Sequence, residues 1–332
     1  MSTETVARPA EPSLHIRVWR LIERSNILTI PLIVLIIVMS LLSDRFFTEV
    51  NIYNILRATS IYIIIGVGQA FVMTSRNIDL SVGSMMALVM ALVGTYLFNG
   101  GAIWIAILMA LAVGLGLGLV NGLLVTILGV PALLATLGML VTYRGLVNEY
   151  LYGTTVSRFP EFITYLGQGT VGPVPVPVII ALSVAAIGSL LYHFTRMGRY
   201  AVAIGGNEEA ATLAGINVRL WKTIFFGFQG LLVGLGALVF LGRLDAAHPT
   251  VGVGLELHVI GGVVLGGTLL FGGKGTMWGV VLGMVLIAVL NNGLILAGAG
   301  FFIQQVFLGI LLVLAVAAQT ARHRREMGSS GG

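Results

Sequence analysis

Few residues of this sequence have side chains that could do chemistry, and most of those are uncharged amides and hydroxyls. The chain has no cysteine, which excludes disulfides, thiol catalysis, iron–sulfur clusters and thiolate zinc sites. Its five histidines are scattered, and none pairs at a helical metal-ligand spacing. We therefore predict no catalytic residue, no cofactor and no metal site.

Seven polar or ionisable residues lie inside or beside apolar segments. They are Asn77, Asp79, Ser81, Asn121, Arg144, Asn291 and Asn292. A polar group in hydrocarbon needs a hydrogen-bonding partner, and an ionisable residue there is a candidate for function. These residues therefore either bond across helices or line a hydrophilic pathway, and uncharged amides suit an uncharged polyol or sugar. Asp79 has the alternative of capping a helix N-terminus, and Arg144 that of extending to the outer interface.

Residues 196–222 form the longest polar connection between apolar segments. Asn207 can cap a short helix that has Glu208 and Glu209 in its first turn, and Gly215 can end that helix. A short amphipathic helix in such a loop is suited to docking a partner protein. The alternative is a solvated helix without a partner.

The composition requires a membrane to position these residues. Only 9% of the residues are charged, against about 25% in a soluble globular domain. Hydrophobic residues make up 57%. These values exclude a soluble enzyme, a nucleic-acid-binding protein and a disordered chain. The glycine run Gly114–Gly118 lies inside an apolar segment, which indicates close helix packing rather than a nucleotide-binding loop.

Uncharged intervals, divided by Gly, Pro and Asn breakers, predict ten membrane-spanning helices. They cover residues 27–43, 55–75, 80–98, 103–128, 132–151, 174–194, 223–242, 255–271, 277–297 and 301–320. Long continuous apolar runs favour an all-α polytopic bundle in the lipid bilayer over a β-barrel. The predicted membrane domain covers residues 25–321, between polar tails at 1–24 and 322–332.

The distribution of Lys and Arg predicts the orientation. Basic residues concentrate in both tails and in the loop 196–222, which the positive-inside rule assigns to the cytoplasm. Ten spans satisfy all three assignments. We therefore expect a multi-pass membrane protein with both termini in the cytoplasm.

Two parts of the sequence are weakly similar to each other. Gly94–Gly101 is similar to Gly267–Gly273, and Asn121 or Asn292 follows 25–27 residues after each start. Spans three and four would then correspond to spans eight and nine in the opposite direction, as in an inverted repeat. Chance similarity among glycine-rich membrane helices is the alternative.

Several motifs occur together in one order along residues 50–320. They are Asn77–Gly83, Pro131–Gly138, Tyr143–Leu146, Gly198–Tyr200, Ala203–Ala211, Ala214–Val218 and Gly266–Thr276. In these motifs the chain resembles the membrane permease subunits of bacterial ATP-binding-cassette (ABC) importers for simple sugars, the ribose, arabinose, xylose and autoinducer-2 group. The family pattern often has two glycines before Ile78, where this chain has Arg76 and Asn77.

The resemblance implies several partners. Two permease subunits, identical or related, would assemble with a cytoplasmic ATP-binding subunit and receive sugar from a periplasmic or lipid-anchored binding protein. Nucleic acid is not an expected partner. The resemblance further implies that the loop docks into the ATP-binding subunit, through Gly198, Arg199, Asn207, Glu208, Glu209, Ala210, Ala214 and Gly215. The chain lacks a Walker A motif and is not expected to be an enzyme.

Two other functions stay open at this point. One is a related ABC permease for branched-chain amino acids. The other is a self-sufficient secondary transporter, which the absence of a chain of acids or histidines across the spans disfavours. The sequence does not identify the sugar, because specificity in such systems resides largely with the binding protein.

Overall fold

The computed structural model describes residues 28–329, without the side chains of Ala318 and of residues 321–329. The predicted tail at residues 1–24 lies outside the described residues, as do residues 330–332 of the other tail. The part of the chain that is described forms thirteen helices and four two-residue strands.

The helices follow the apolar runs of the sequence. They are α1 Thr29–Leu42, α2 Glu49–Thr74, α3 Val82–Phe98, α4 Ile103–Thr126, α5 Ala132–Leu151, α6 Glu161–Gln168, α7 Val176–Phe194, α8 Arg196–Gly206, α9 Glu208–Leu213, α10 Val218–Leu244, α11 Leu255–Leu265, α12 Met277–Leu296 and α13 Phe301–Ser329. The strands are β1 Val156–Ser157, β2 Thr170–Val171, β3 Val174–Pro175 and β4 Ala246–Ala247, and they pair antiparallel as β1 with β4 and β2 with β3.

The helical membrane bundle predicted from the sequence is confirmed. A helix occupies each of the ten predicted spans, and five helices, α2, α4, α7, α10 and α12, are long and apolar enough to cross a membrane. The eighth span was predicted to be helical to residue 271, but α11 ends at Leu265. Gly267, Gly272 and Gly273 have φ between +79° and +88°, a region that only glycine adopts readily and that ends the helix. Helices α6 and α8 were not predicted.

Glycine allows the central helices to pack closely. A Cβ added to Gly114 or Gly118 of α4 would overlap backbone atoms of α10, and one added to Gly230 of α10 would overlap the Gly114 carbonyl. Small residues at a membrane helix interface permit this backbone contact. The glycine run of α4 therefore serves packing, as predicted.

The packing of the helices supports the predicted inverted repeat. Helix α10 packs on α4 as α2 packs on α12, and α3 packs on α5 as α11 packs on α13. Helix α10 also contacts α3 as α2 contacts α11. Replacing α2–α5 by α10–α13 thus converts one set of contacts into the other, which is the pattern that two related halves would produce.

Two helices of this repeat begin inside the bundle. A Cβ added to Gly83, at the start of α3, would overlap the carbonyl oxygen of Gly252, which precedes α11. Val82 is fully buried at the same point. The predicted topology runs α3 and α11 in opposite directions, so the two helix N-termini meet within the bundle. Transporters place helices broken in this way around their substrate pathway.

Candidate functional site

The segment between α2 and α3 holds a buried carboxyl group. Asp79 is 0% exposed, and its Oδ1 accepts hydrogen bonds from the Ser81 backbone N at 2.8 Å and from the Ser81 Oγ at 2.7 Å. The side-chain amide of Asn77 donates to the Ser75 carbonyl at 2.8 Å and stays local. Asp79 therefore organises the turn that starts α3, close to the capping role considered from the sequence.

Helices α4 and α5 complete the partners of Asp79. The Asn121 Nδ2 lies 3.2 Å from the Asp79 Oδ2 and 2.8 Å from the Ser81 Oγ. The Tyr143 hydroxyl lies 3.2 Å from the Asn121 Oδ1 and 3.0 Å from the Leu117 carbonyl oxygen. Three of the seven predicted polar residues thus form one buried network, here called the Asp79 network, with Tyr143 as a member that the sequence did not single out. Its members connect α3, α4 and α5 and do not line an open path.

Arg144 binds backbone rather than extending to an interface. Its Nη1 donates to the carbonyl oxygens of Pro249 at 2.6 Å and Val251 at 2.8 Å. These residues belong to the segment that leads into α11, where the Glu256 carboxylate interacts with Arg144 electrostatically. Arg144 therefore fixes this segment against α5, beside the point where α3 and α11 begin.

The adjacent amides of α12 have different environments. Asn292 forms a reciprocal pair with Asn51 of α2, with Nδ2 to Oδ1 distances of 2.7 and 3.0 Å. Asn291 instead lines a cavity of about 250 Å³ together with Tyr62 and His258. The pair with Asn51 connects two helices, whereas Asn291 faces open space.

Helix α9 has the form predicted from the sequence. The Asn207 Oδ1 accepts from the Ala210 backbone N at 2.9 Å, and Glu208 and Glu209 stand in the first turn. Ala214 ends the helix, and Gly215 follows with a φ of +83°, which is the expected glycine C-terminus.

A solvent-accessible surface surrounds this helix. Its residues, here called the docking surface, are Arg76, Asn207, Glu208, Glu209, Thr212 and Leu213; all but Leu213 line a depression of about 590 Å³. The Leu213 side chain is 90% exposed, although it is apolar and lies on a short polar helix. The Glu208 carboxylate pairs with Lys222 at 2.6 Å. Sequence reasoning identified the acids of this surface and missed Leu213.

Helix α8 connects the docking surface to the bundle. A Cβ added to Gly205 would overlap the Thr74 carbonyl at the end of α2, and it would also clash with the Gly273 backbone N. That N–H donates to the Thr74 carbonyl at 2.9 Å. We call this three-way contact the Gly205 joint. The apolar residues Ala201 and Ile204, three positions apart and both fully buried, are the sequence feature that could have indicated this contact.

Two other predicted loop residues, Gly198 and Arg199, lie where α8 meets α7. A Cβ added to Gly198 would overlap the Tyr192 carbonyl oxygen, so glycine permits the close approach of α8 to α7. The Arg199 Nη1 lies 3.4 Å from the Phe194 carbonyl oxygen, where it satisfies the C-terminus of α7. Neither residue belongs to the docking surface.

A polytopic bundle of apolar helices, two of which begin inside it, is an architecture of membrane transport proteins. The family model described as the permease component of branched-chain amino acid transport systems matches residues 51–316. This match covers most of the chain, so the chain belongs to this family of transport permeases, which is not a family of enzymes.

Three relatives that align with most of the chain are sugar permeases. The chain is 39% identical to the ribose import permease protein RbsC of Escherichia coli K12, over 95% of this chain and 98% of that protein. It is 38% identical to RbsC of Bacillus subtilis 168, over 86% and 89%. It is 31% identical to the xylose transport system permease protein XylH of Haemophilus influenzae Rd, over 83% and 90%. No solved structure matches the chain.

These similarities confirm the resemblance to the permeases of simple-sugar ABC importers. Together with the apolar helices, they identify a multi-pass membrane protein of the bacterial inner membrane.

Proposed function

We propose that this chain is the pathway-forming membrane subunit of an ATP-driven importer for a simple sugar or polyol. The observation that carries the proposal is the exposed helix α9, at one end of a bundle whose relatives are ribose and xylose permeases. A separate cytoplasmic subunit would hydrolyse the ATP, because this chain has no Walker A motif. A binding protein would deliver the sugar on the opposite side, and the chain alone would catalyse no reaction.

The docking surface has the features of a partner-binding site. Leu213 offers one fully exposed apolar side chain, and such an anchor contributes binding energy when it fills a pocket of a partner. Glu209 has no ion-pair partner within the described residues, so its carboxylate is available to a basic group of the ATP-hydrolysing subunit. Glu208 is held in place by Lys222. These observations support the assignment of residues 196–222 as the coupling loop.

The Gly205 joint supplies a route from the docking surface to the pathway. ATP binding in the partner would shift the bundle between outward and inward states. Because Gly205 contacts both Thr74 and Gly273, a movement of α8 displaces the end of α2 and the segment that follows α11. The end of α2 leads to Gly83 at the start of α3, and the segment after α11 is joined through α11 itself to Gly252.

The remaining assignments concern orientation and assembly. We propose that the docking surface and both termini face the cytoplasm and that residues 25–321 form the membrane domain. A second permease subunit, identical or related, would cover the unpacked face of α5, where Gly138 and Gly145 have open space around them. The Asp79 network, Asn77 and Arg144 would hold helices in place rather than contact the sugar.

The docking assignment is tested by reversing charge on α9. The double variant Glu208→Lys, Glu209→Lys is expressed with its ATP-binding subunit and binding protein. We expect loss of co-purification with the ATP-binding subunit and loss of ribose uptake, because like charges would face each other in the contact.

The matched control reverses two acids elsewhere, Glu149→Lys and Glu161→Lys, neither of which belongs to the docking surface. It should retain the complex with the ATP-binding subunit. An unchanged complex and unchanged uptake in the α9 variant would contradict the coupling role. Ion-driven uptake by the chain alone in proteoliposomes would contradict the ATP-driven mechanism and support a secondary transporter.

A branched-chain amino acid is the second candidate substrate, because the matching family model carries that description. The assembled transporter distinguishes the two. We expect uptake of ribose or xylose and none of leucine, and the reverse result would assign the chain to amino acid import.

A further inference from the structure

A polar cavity lies between helices α2, α10, α11, α12 and α13. It has a volume of about 250 Å³ and is lined by five polar side chains, which are Tyr62, Arg243, His258, Asn291 and Gln304. Apolar walls, including Phe240 and Phe301, complete it. Nothing in the transport scheme above uses this cavity.

The cavity lies at the end of the bundle opposite the docking surface. Helix α10 begins beside α9 and runs for 27 residues, which corresponds to about 40 Å. Arg243 stands at the far end of that helix, and Phe301 and Gln304 stand at the start of α13. An importer that is driven from the docking surface must receive its substrate at this opposite end.

Two rings of the cavity are fixed by their contacts. The rings of Tyr62 and His258 stack at 5.6 Å with an interplanar angle of 16°, and Asn291 lines the cavity beside them. The His258 Nδ1 lies 2.8 Å from the Gly254 carbonyl oxygen. Because a carbonyl only accepts, Nδ1 carries the proton, and the neutral ring presents Nε2 as an acceptor.

Two further groups offer unused hydrogen-bonding capacity. The Arg243 guanidinium forms no hydrogen bond or ion pair with any other group in the described part of the chain, and it lines the cavity together with Tyr62. The Gln304 Nε2 donates to the Ala299 carbonyl at 2.9 Å, which leaves its Oε1 as an acceptor. The cavity therefore presents donors and acceptors together.

This mixture selects among ligand chemistries. A phosphate or carboxylate oxygen could accept from Arg243, but it only accepts hydrogen bonds and would leave the acceptors of His258 and Gln304 without a donor. An apolar ligand would leave the guanidinium of Arg243 without a partner. A sugar hydroxyl both donates and accepts, and the carbon face of a sugar ring suits aromatic walls. The volume falls below the 300–1,000 Å³ that is typical for drug-sized ligands, which suits a monosaccharide.

We propose that this cavity is a monosaccharide-binding site within a single permease subunit, occupied after the sugar enters and before it crosses. The assignment rests on the proposed function and deepens it, because it names residues of this chain that contact the sugar. Binding must be weak, since a site on a transport pathway has to release its ligand.

The test uses the full chain in nanodiscs of neutral lipid, without the ATP-binding subunit. Saturation-transfer NMR is recorded with D-ribose, D-xylose and D-allose as probes. We expect at least one of them to bind the wild-type chain. Asn291→Ala removes an amide that lines the cavity and should weaken binding about tenfold. Ala58→Phe fills the cavity from α2 without touching its hydrogen bonds and should abolish binding.

Asn292→Ala is the matched control, because it removes the neighbouring amide, which bonds Asn51 and does not line the cavity. It should leave binding unchanged. Equal binding by the wild-type chain, Asn291→Ala and Ala58→Phe would overturn the assignment, and so would the absence of binding by all three sugars. Displacement by inorganic phosphate would also overturn it and indicate an anion site instead.

The assembled transporter separates this proposal from the proposed function. Uptake of ribose or xylose without binding in the cavity refutes the cavity site and leaves the importer intact. Loss of all uptake in the assembled wild-type system refutes the importer, whatever the isolated chain binds.

Discussion

The docking surface and the Asp79 network use similar polar residues for opposite purposes. At the docking surface the carboxylates of Glu208 and Glu209 are exposed, and only one of them has a partner within the described residues. In the Asp79 network the carboxyl group is fully buried and accepts bonds from Ser81 and Asn121. A polar group inside a membrane bundle must be satisfied internally, whereas one at the end of the bundle is free to bind a partner. Stability should therefore depend on the network, and assembly on the surface.

The largest expected effect comes from breaking the network. Asn121→Leu removes the donor to Asp79 and Ser81 and leaves buried acceptors unpaired. We expect a loss of about 3 kcal/mol in the free energy of unfolding, measured by denaturation in mixed micelles. Asn148→Leu is the control, because Asn148 donates only within its own helix, to the Arg144 carbonyl, and is exposed. Equal stability of the two variants would show that the network does not hold the helices.

The Gly205 joint tests the connection between the two regions. Gly205→Ala places a methyl group against the Thr74 carbonyl, and we expect a loss of about 1–3 kcal/mol from overpacking, together with loss of uptake. Gly116→Ala is its control, since a Cβ there would meet open space and Gly116 lies on α4, away from the docking surface. Thermal unfolding and ribose uptake measure the two effects. Normal uptake by Gly205→Ala would show that the close contact at Gly205 is not required for transport.

Replacing Leu213 should affect assembly without affecting stability. Leu213→Ser removes an exposed apolar side chain, so the free energy of unfolding should stay within about 0.5 kcal/mol of the wild type. Association with the ATP-binding subunit should weaken at least about tenfold if Leu213 becomes buried in the contact. Leu244→Ser is the control. Leu244 lies at the end of α10 that is far from the docking surface, so its replacement should leave association unchanged. A titration of the two subunits measures both variants, and equal affinities would remove Leu213 from the contact.

The sequence predicted local helix features better than it predicted which distant residues contact one another. Asn207, Glu208 and Gly215 specify helix α9 through capping, and capping depends on neighbours in the chain. The positions of the ten apolar spans could be predicted from charged and helix-breaking residues, because these features also depend only on the local sequence. The helix ending at Leu265 instead of residue 271 was missed, because an apolar run does not reveal that three glycines in it adopt positive φ.

Contacts between distant residues were beyond sequence reasoning. Asn291 and Asn292 are the same residue type in adjacent positions, yet one lines a cavity and the other pairs with Asn51. Their directions differ by about 100° around α12, since a helix has 3.6 residues per turn. Which direction meets a partner depends on the packing of α2 and α11, and the sequence did not determine that packing.

The smallest expected effect is at the partly exposed ion pair between Glu208 of the docking surface and Lys222. Lys222→Gln removes the partner of Glu208, and we expect a loss of about 0.2–1 kcal/mol in the free energy of unfolding, because the Glu208 side chain is 48% exposed and solvent screens the pair. A double-mutant cycle with Glu208→Gln isolates the pair, and its coupling should fall as salt is raised. The Lys222 to Glu208 distance of 2.6 Å is as short as the bonds around Asp79, so bond length alone predicts equal contributions. A coupling as large as the loss in Asn121→Leu would show that burial does not separate the two regions, whereas a small, salt-sensitive coupling would show that it does.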